Sequence, residues 1–147
     1  MSGLKLVLKS IDHLEEEMKP IWGKMSCPQM ISHCNRFIKV YTNEVKFNTP
    51  ISLISPIFGK IHIFWLKYVI KYNVKKYFKN LPTLRYFNTY GMKDIDFISE
   101  KEELISRIRF VMEYKENSIS NTFHGRIENQ TFKDVVEFHT RYHLVQF

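Results

Sequence analysis

Apolar residues recur every three or four positions along most of the chain, the spacing that places side chains on one face of an α-helix. The first such stretch covers residues 2–18 and ends before Pro20. The second starts at Ser26, which forms a capping-box pattern with Gln29, and continues to about Lys46. Its predicted inward face consists of Met30, His33, Cys34, Phe37, Ile38, Tyr41 and Val45.

The middle of the chain contains a third helical stretch and a long loop. Asn48, Pro50 and Pro56 mark a connection, after which residues 57–79 show a helical pattern rich in Phe, Ile, Trp and Tyr. Residues 80–97 lack a clear period and are predicted to form a loop. Loops of this length in a compact domain usually line a site or cover a core.

Two further helices and a second loop complete the prediction. A capping box at Ser99 opens a helix to about Asn117, and residues 118–130 are predicted to be a loop. Thr131 opens the last helix, which runs to the end of the chain. We therefore predict one all-α domain over residues 1–147. Its fold is expected to be an antiparallel up-and-down four-helix bundle with a helical and loop insertion between the second and third bundle helices.

Composition supports a folded domain. The chain has 147 residues, 44% of them hydrophobic, including twelve Phe and eight Tyr, so it can bury enough apolar surface to offset its ordering entropy. Cys27 and Cys34 lie about two helical turns apart, roughly 10 Å, which is too far for a disulfide. The start of the chain lacks the apolar segment of a signal peptide. These features predict a cytoplasmic protein.

The positive charge is concentrated in one segment. The formal net charge is +7, and residues 45–93 contain nine Lys or Arg and no acidic residue. Within the stretch 57–79, helical spacing places Lys60, Lys67, Lys71 and Lys75 on one face. This basic face can bind an anionic membrane surface, or a nucleic acid, or simply lie in water while the aromatic residues pack inward, which is the interpretation we favour. Its lysines exclude a membrane span.

Three histidines are predicted to face the interior. His139 and His143 are four residues apart and share a helix face with Phe132, Val135 and Val136. His33 lies in the inward stripe of the second helix. Inward histidines are costly unless they are satisfied. Spacing alone leaves two interpretations open: the three bind one divalent ion, or each bonds a tyrosine, a carboxylate or a backbone group.

Several motifs together carry a resemblance to a known family. They are W-G-K-M at 22–25, Q-M-x-x-H at 29–33, N-L-P-T at 80–83, D-F at 96–97, E-K at 100–101 and H-x-x-x-H-L-x-Q-F at 139–147. With these motifs the chain resembles an uncharacterised bacterial branch of the DinB/YfiT-like superfamily, whose members are helical bundles with a metal site. The branch often has His at the position of Tyr142 and H-P-x-F-G where this chain has Thr-Phe-His-Gly at 122–125.

The resemblance has implications for cofactor and chemistry. It implies that His33, His139 and His143 hold a divalent ion such as Zn²⁺, Ni²⁺ or Fe²⁺. Because characterised relatives include thiol-dependent transferases and isomerases, it also implies a low-molecular-weight thiol and a small-molecule substrate. Many such bundles pair, so a homodimer is a further expectation. The alternative is a non-enzymatic binding or stress-response module, stabilised by metal, that uses its basic 57–79 face.

Other residues have two interpretations each. Trp22 can shape a pocket near His33 or, as we favour, anchor a loop in the core. Cys34 can act as a thiolate or be an inert core residue, and a free Cys in an apolar stripe is usually inert. The remaining candidates can contact the substrate or support the ligands, or can face solvent; they are Tyr142, Glu137 and Gln146.

Overall fold

The computed structural model describes residues 3–47 and 51–147. The helices are α1 (Gly3–Asp12), α2 (Cys27–Tyr41), α3 (Ile51–Phe64), α4 (Phe97–Glu113) and α5 (Asn129–Leu144). The strands are β1 (Ser118–Asn121) and β2 (Gly125–Glu128). A π-helical segment covers Trp65–Val69, and two 3₁₀ turns cover Val74–Lys76 and Arg85–Phe87.

The all-α four-helix bundle predicted from the sequence is wrong. The described chain is mostly helical, but it has five α-helices and an antiparallel β-hairpin in place of the loop predicted at 118–130. Ile119 pairs with Ile127 across the hairpin, and both side chains are buried. The Asn121 side chain accepts the backbone N–H groups of Phe123 and His124, which closes the turn. Strands of four residues are too short to give a period in the sequence.

The core lies where α1, α2, α4 and α5 pack against one another. The α2 capping box is confirmed: the Ser26 hydroxyl accepts from the Gln29 N–H at 3.4 Å, and the Gln29 side chain accepts from the Ser26 N–H at 2.9 Å. Most of the predicted inward face of α2 is buried, and so is the stripe predicted for α5. The fully buried residues of these two helices include Met30, Cys34, Ile38, Tyr41, Phe132 and Val136.

Several helix ends differ from the prediction: α2 ends at Tyr41 and not near Lys46, and α4 ends at Glu113 and not near Asn117. For the end of α1 and the start of α4, a side chain that binds the backbone explains the difference. The first helix ends at Asp12, not at residue 18, since the Lys101 ammonium binds the carbonyl oxygens of Asp12 and Leu14 at 2.9 and 2.8 Å. α4 begins at Phe97, before Ser99, because the Asp96 carboxylate accepts the Ser99 N–H at 2.9 Å.

The third helical stretch is shorter than predicted. α3 includes Pro56, and the regular helix gives way to the π segment at Trp65, so residues 70–79 do not continue it. Lys71 and Tyr72 have φ angles of 51° and 52°, which turn the chain away from the helix axis. Asn48 and Pro50, part of the predicted connection, lie outside the described residues. The predicted loop at 80–97 is confirmed as non-helical apart from the Arg85–Phe87 turn.

The outer face of α3 carries an apolar stripe, formed by Ile57, Ile61, Phe64 and Tyr68. Each of these side chains is about 60% exposed, so the expectation that this stretch packs its aromatics inward holds only for its other side. The aromatic residues packed against the core are Trp65, Tyr72 and Tyr77, each partly buried, and Leu66 and Ile70 are buried beside them. None of the described helices is both long enough and apolar enough to cross a membrane.

Gly59 is required where α3 touches the hairpin turn. A methyl group at this position would overlap the carbonyl oxygen of Phe123 and lie 2.9 Å from the Cα of His124. We predict that Gly59→Ala lowers the free energy of unfolding by about 1–3 kcal/mol, although alanine is the better helix former. Urea unfolding measures the change.

Gly3→Ala is the matched control, because a methyl group there meets only the end of the flexible Glu137 side chain. It should leave stability unchanged or raise it by up to about 1 kcal/mol. Equal effects of the two substitutions would contradict the close contact between α3 and the hairpin.

Candidate metal centre

Three histidines from two helices converge at one end of a large cavity. His33 lies on α2, and His139 and His143 lie one turn apart on α5. One ring nitrogen from each lies within 4.8 Å of the other two. Nε2 of His33 and Nε2 of His139 are 3.3 Å apart. Two ligands on a tetrahedral ion, each about 2.05 Å from it, would be separated by about 3.3 Å.

A backbone contact fixes the tautomer of His33. Its Nδ1 lies 2.7 Å from the carbonyl oxygen of Phe87, which can only accept, so Nδ1 carries the proton and Nε2 offers its lone pair to the centre. Phe87 belongs to the long loop, so the loop lines the site as its length suggested. His143 has a weaker support of the same kind, with Nδ1 3.5 Å from Oε1 of Gln146.

His139 lacks such a partner. Its ring stacks in parallel on Phe37 at a centroid distance of 3.6 Å, and among the described residues its buried Nδ1 has no hydrogen-bond partner. Of these three histidines, therefore, only His33 fits the alternative in which each ring bonds a tyrosine, a carboxylate or a backbone group. Three largely buried imidazoles this close together can bind a metal ion.

Burial keeps the three imidazoles in the form that binds metals. It lowers the pKa of His33 and lowers that of His143 to about 3. The pKa of His139 is held well below its ordinary value by burial first and then by His143 and His33. All three are thus neutral near pH 7, and neutral imidazole is the ligand form.

The cavity beside the histidines has a volume of about 910 Å³. Its described lining is mostly apolar and aromatic and includes no carboxylate; Lys24 is the one charged residue in it. Such a volume and lining are typical of sites for small organic molecules. Three of the predicted pocket residues line it, namely Trp22, Tyr142 and Gln146.

The predicted pocket residues differ in their placement. Trp22 is partly exposed at the cavity wall, not in the core, and packs edge-on against Tyr142 with the rings 5.3 Å apart. The Tyr142 hydroxyl donates to the Phe78 carbonyl at 2.8 Å. Glu137 is not among the lining residues; its carboxylate pairs with Arg141 at 3.3 Å and lies beside Gly3.

The cysteines take no part in the site. Cys34 is fully buried, and burial raises the pKa of its thiol far above the ordinary value. Cys27 is also buried and free, with its pKa raised to about 11. Cys34 therefore lies in the core, as the favoured interpretation expected, and burial disfavours its thiolate form.

The cavity wall includes residues that were not predicted from the sequence to line a pocket, among them Tyr41, His62, Tyr77 and His124. His62 and Leu66 share the inner side of α3 at a spacing of four, a pattern that the sequence contained. His124 gave no signal of this kind, because it lies in the turn of the hairpin.

We predict that the metal-free protein loses stability as the pH falls from about 7 to about 5. Below about pH 6.5 the unfolded chain binds protons on its histidines, whereas the buried ones stay neutral because their pKa values are lowered. Protons therefore favour the unfolded state. Each such histidine contributes about 1.4 kcal/mol per pH unit to the slope of the free energy of unfolding against pH. Urea unfolding in the presence of a chelator measures it.

The variant His143→Gln removes one of the buried neutral histidines and should reduce this slope by about 1.4 kcal/mol per pH unit. Ile61→Ala removes an exposed side chain that binds no proton, so it is the control and should leave the slope unchanged. A free energy of unfolding that is constant over this pH range would contradict the presence of buried neutral histidines.

The arrangement can hold one divalent ion with protein ligands on one side and the cavity on the other. Imidazole nitrogens suit Zn²⁺, Ni²⁺ and Fe²⁺ alike, so the ligand set does not select one of them. Comparisons of the chain with protein-family models, with curated proteins and with solved structures found no match.

Proposed function

We propose that the protein is a divalent-metal-dependent enzyme acting on a small molecule, with His33, His139 and His143 as the metal ligands. The observation that carries the proposal is the meeting of three neutral imidazoles within 4.8 Å at the wall of a cavity of about 910 Å³. A structural metal site is usually closed by four protein ligands, whereas a catalytic site keeps a position open. Among the described residues only three ligands converge here.

The ion would supply a Lewis acid that lowers the pKa of a bound water or thiol. The resemblance to the DinB/YfiT-like superfamily favours a low-molecular-weight thiol and a transferase or isomerase reaction. The protein's own residues orient the ligands, through the Phe87 carbonyl on His33 and the Phe37 ring on His139. The aromatic lining excludes water from the space that a substrate would fill. Two free buried thiols fit the proposed cytoplasmic location.

The first test is metal binding followed by thermal unfolding. Zinc at about 100 times its dissociation constant should stabilise the protein by about 2.7 kcal/mol, which raises Tm by about 5–10 °C in a domain of this size. His139→Ala should abolish both the bound metal and the rise in Tm. The exposed His13→Ala is the control and should change neither. Metal content and Tm that are unaffected by chelator and by His139→Ala would disprove the site.

A second arm separates a catalytic ion from a structural one. Cobalt-substituted protein should show a thiolate-to-cobalt charge-transfer absorption when a low-molecular-weight thiol is added, because an open position admits the sulfur. Cobalt that binds without this absorption would indicate that the coordination sphere is closed to thiols, which contradicts thiol activation.

A second candidate function is docking on an anionic membrane surface, which we propose from the outer face of α3. The stripe runs from α3 into the π segment. Lys60 on α3 and Lys67 in the π segment lie beside it, and Lys71 follows in the turn after the helix; all three are exposed. A helix with exposed Ile and Phe beside a row of lysines matches the pattern of helices that lie in the lipid interface. This function is compatible with the enzyme, and it is also the basis of the non-enzymatic alternative.

The residue types favour lipid over other partners. Nucleic-acid sites combine basic residues with flat rings for stacking or polar groups for base edges. Phe64 and Tyr68 provide such rings, but the other half of the stripe, Ile57 and Ile61, provides neither, whereas all four side chains suit a lipid interface. Pairing of two copies through this face would bring two basic surfaces together, since residues 45–93 contain no acidic residue. An anionic bilayer complements both the charge and the apolar stripe.

We predict binding to vesicles of phosphatidylserine in phosphatidylcholine that weakens as salt is added. The double variant Lys67→Glu/Lys71→Glu should lower the affinity about ten-fold or more, and Phe64→Ser should also weaken it. The matched controls are Lys5→Glu/Lys9→Glu on α1 and Phe110→Ser on α4, which alter exposed charge and apolar surface away from the stripe. Vesicle cosedimentation measures the affinity.

Equal loss in the control variants, or no binding at low salt, would contradict the docking surface. Salt-sensitive binding to an oligonucleotide without vesicle binding would instead favour a nucleic acid as the partner.

A further inference from the structure

A second polar cluster lies in the wall of the same cavity, away from the proposed metal ligands. Its four members come from four parts of the chain: Tyr41 from α2, His62 from α3, Tyr77 from the segment after the first 3₁₀ turn and His124 from the hairpin turn. The Tyr41 hydroxyl contacts Nδ1 of His124. Nε2 of His124 lies 3.5 Å from Nδ1 of His62, and Nε2 of His62 lies 3.2 Å from the Tyr77 hydroxyl.

The need to pair each buried donor with an acceptor decides which of these four residues donates to which. Tyr41 is fully buried, and among the described residues its hydroxyl meets only His124. If His124 donated to it, the Tyr41 O–H would be buried without an acceptor, which costs about 1–3 kcal/mol. Tyr41 therefore donates to Nδ1 of His124. Nε2–H of His124 then donates to His62, and Nε2–H of His62 donates to the Tyr77 oxygen.

This order of donors determines what the Tyr77 hydroxyl can bind. Because the Tyr77 oxygen accepts from His62, its own O–H has no assigned acceptor among the described residues. Tyr77 is only partly buried and lines the cavity. The four residues thus fix the Tyr77 ring and leave one hydroxyl donor at the cavity wall.

We propose that this cluster is a second ligand-binding subsite, in which the Tyr77 hydroxyl donates a hydrogen bond to an acceptor oxygen of an uncharged, largely apolar small molecule. The subsite shares the cavity with the proposed metal centre, but it does not require the metal.

The apolar character of the ligand follows from what surrounds the subsite. The Tyr77 ring packs edge-on against Phe138 and Tyr142, with the ring centroids 5.1 and 5.0 Å apart, and the same cavity wall includes Phe58, Leu66 and Phe123. Phe37 contacts both clusters, stacked on His139 and with its ring 4.5 Å from that of Tyr41. One aromatic ring therefore separates the metal ligands from the second cluster, and a molecule that reaches both must have an apolar body.

The charge of the ligand follows from the lining. The described lining contains no acidic residue, and its one basic residue, Lys24, is exposed. Burial lowers the pKa of His62, lowers that of His124 to about 3 and raises that of Tyr77. The cluster is therefore neutral near pH 7. A neutral hydroxyl in an apolar wall suits a carbonyl or ether oxygen, whereas a carboxylate would lose its hydration without a countercharge.

The test uses two probes of nearly the same shape, acetophenone and α-methylstyrene, which differ in a carbonyl oxygen replaced by CH₂. Dissociation constants are measured by NMR titration. The wild-type protein should prefer acetophenone, and Tyr77→Phe should reduce the preference by about 2- to 10-fold, the effect of one hydrogen bond. Tyr68→Phe, an exposed tyrosine on the outer face, is the matched control and should leave the preference unchanged.

An unchanged preference in Tyr77→Phe would overturn the subsite, and so would failure of the wild-type protein to bind either probe. A second measurement does not depend on a variant that folds. The ¹⁵N shifts of the imidazoles should show His62 and His124 both protonated at Nε2. A proton on Nδ1 of His124 would overturn the direction of the chain and with it the free donor on Tyr77.

Repeating the titrations with chelator, with zinc and in His139→Ala separates this inference from the proposed metal centre. A Tyr77-dependent preference without zinc binding would support the subsite and count against the metalloenzyme. Zinc binding without a Tyr77-dependent preference for acetophenone would support the metal centre and count against the subsite.

Discussion

The stacking of Phe37 on His139 is the contact on which both polar clusters depend. The rings are parallel, 3.6 Å apart, at the junction of α2 and α5. His33 lies one turn before Phe37 on α2, and Tyr41 lies one turn after it, so fixing Phe37 directs His33 toward His139 and His143 on α5 and Tyr41 toward the hairpin. The stack also holds Nδ1 of His139 where no described residue bonds it. An ion bound at Nε2 of His139 would leave this Nδ1 unpaired, so the stack on Phe37, and not a hydrogen bond, orients the ring.

The cavity exists because the chain leaves regular helix in two places. After α3, the π segment and the positive φ angles at Lys71 and Tyr72 redirect the backbone, so that Tyr77 returns toward His62. Farther on, the loop after residue 79 folds back over α2 and brings the Phe87 carbonyl onto His33. Non-glycine residues with positive φ are unfavourable by themselves and persist where the surrounding structure holds them. Lys71 and Tyr72 do not line the cavity themselves, but they set the backbone direction that brings Tyr77 to its wall.

The sequence predicts the parts of this structure that local chemistry decides. The Ser26 cap, the inward stripes of α2 and α5 and the inward positions of the three histidines follow from spacing and capping alone. Spacing did not show that the three histidines meet at one point. What it could not predict depends on distant residues. α1 ends where the ammonium group of Lys101, far along the chain, binds the carbonyl oxygens of Asp12 and Leu14. No signal near residue 12 in the sequence marks that end. The hairpin was predicted as a loop, because each of its strands has only four residues with one buried isoleucine, which is too short to show a period in the sequence. His124 escaped notice for the same reason, and it stands in the segment where the chain departs from the family it resembles.

The two proposed functions meet on α3. The inner side of this helix presents Gly59, His62 and Leu66 to the cavity, and its outer side carries the apolar stripe. Phe58 belongs to both, since it lines the cavity and is 66% exposed. If the stripe lies in a lipid interface, the cavity opens close to that interface, and an apolar molecule dissolved in the bilayer would reach the cavity without crossing bulk water. A ligand that is apolar, uncharged and equipped with one acceptor oxygen is the kind that partitions into lipid. The cavity lining and the outer face of α3 therefore point to the same class of ligand, although different residues carry each argument.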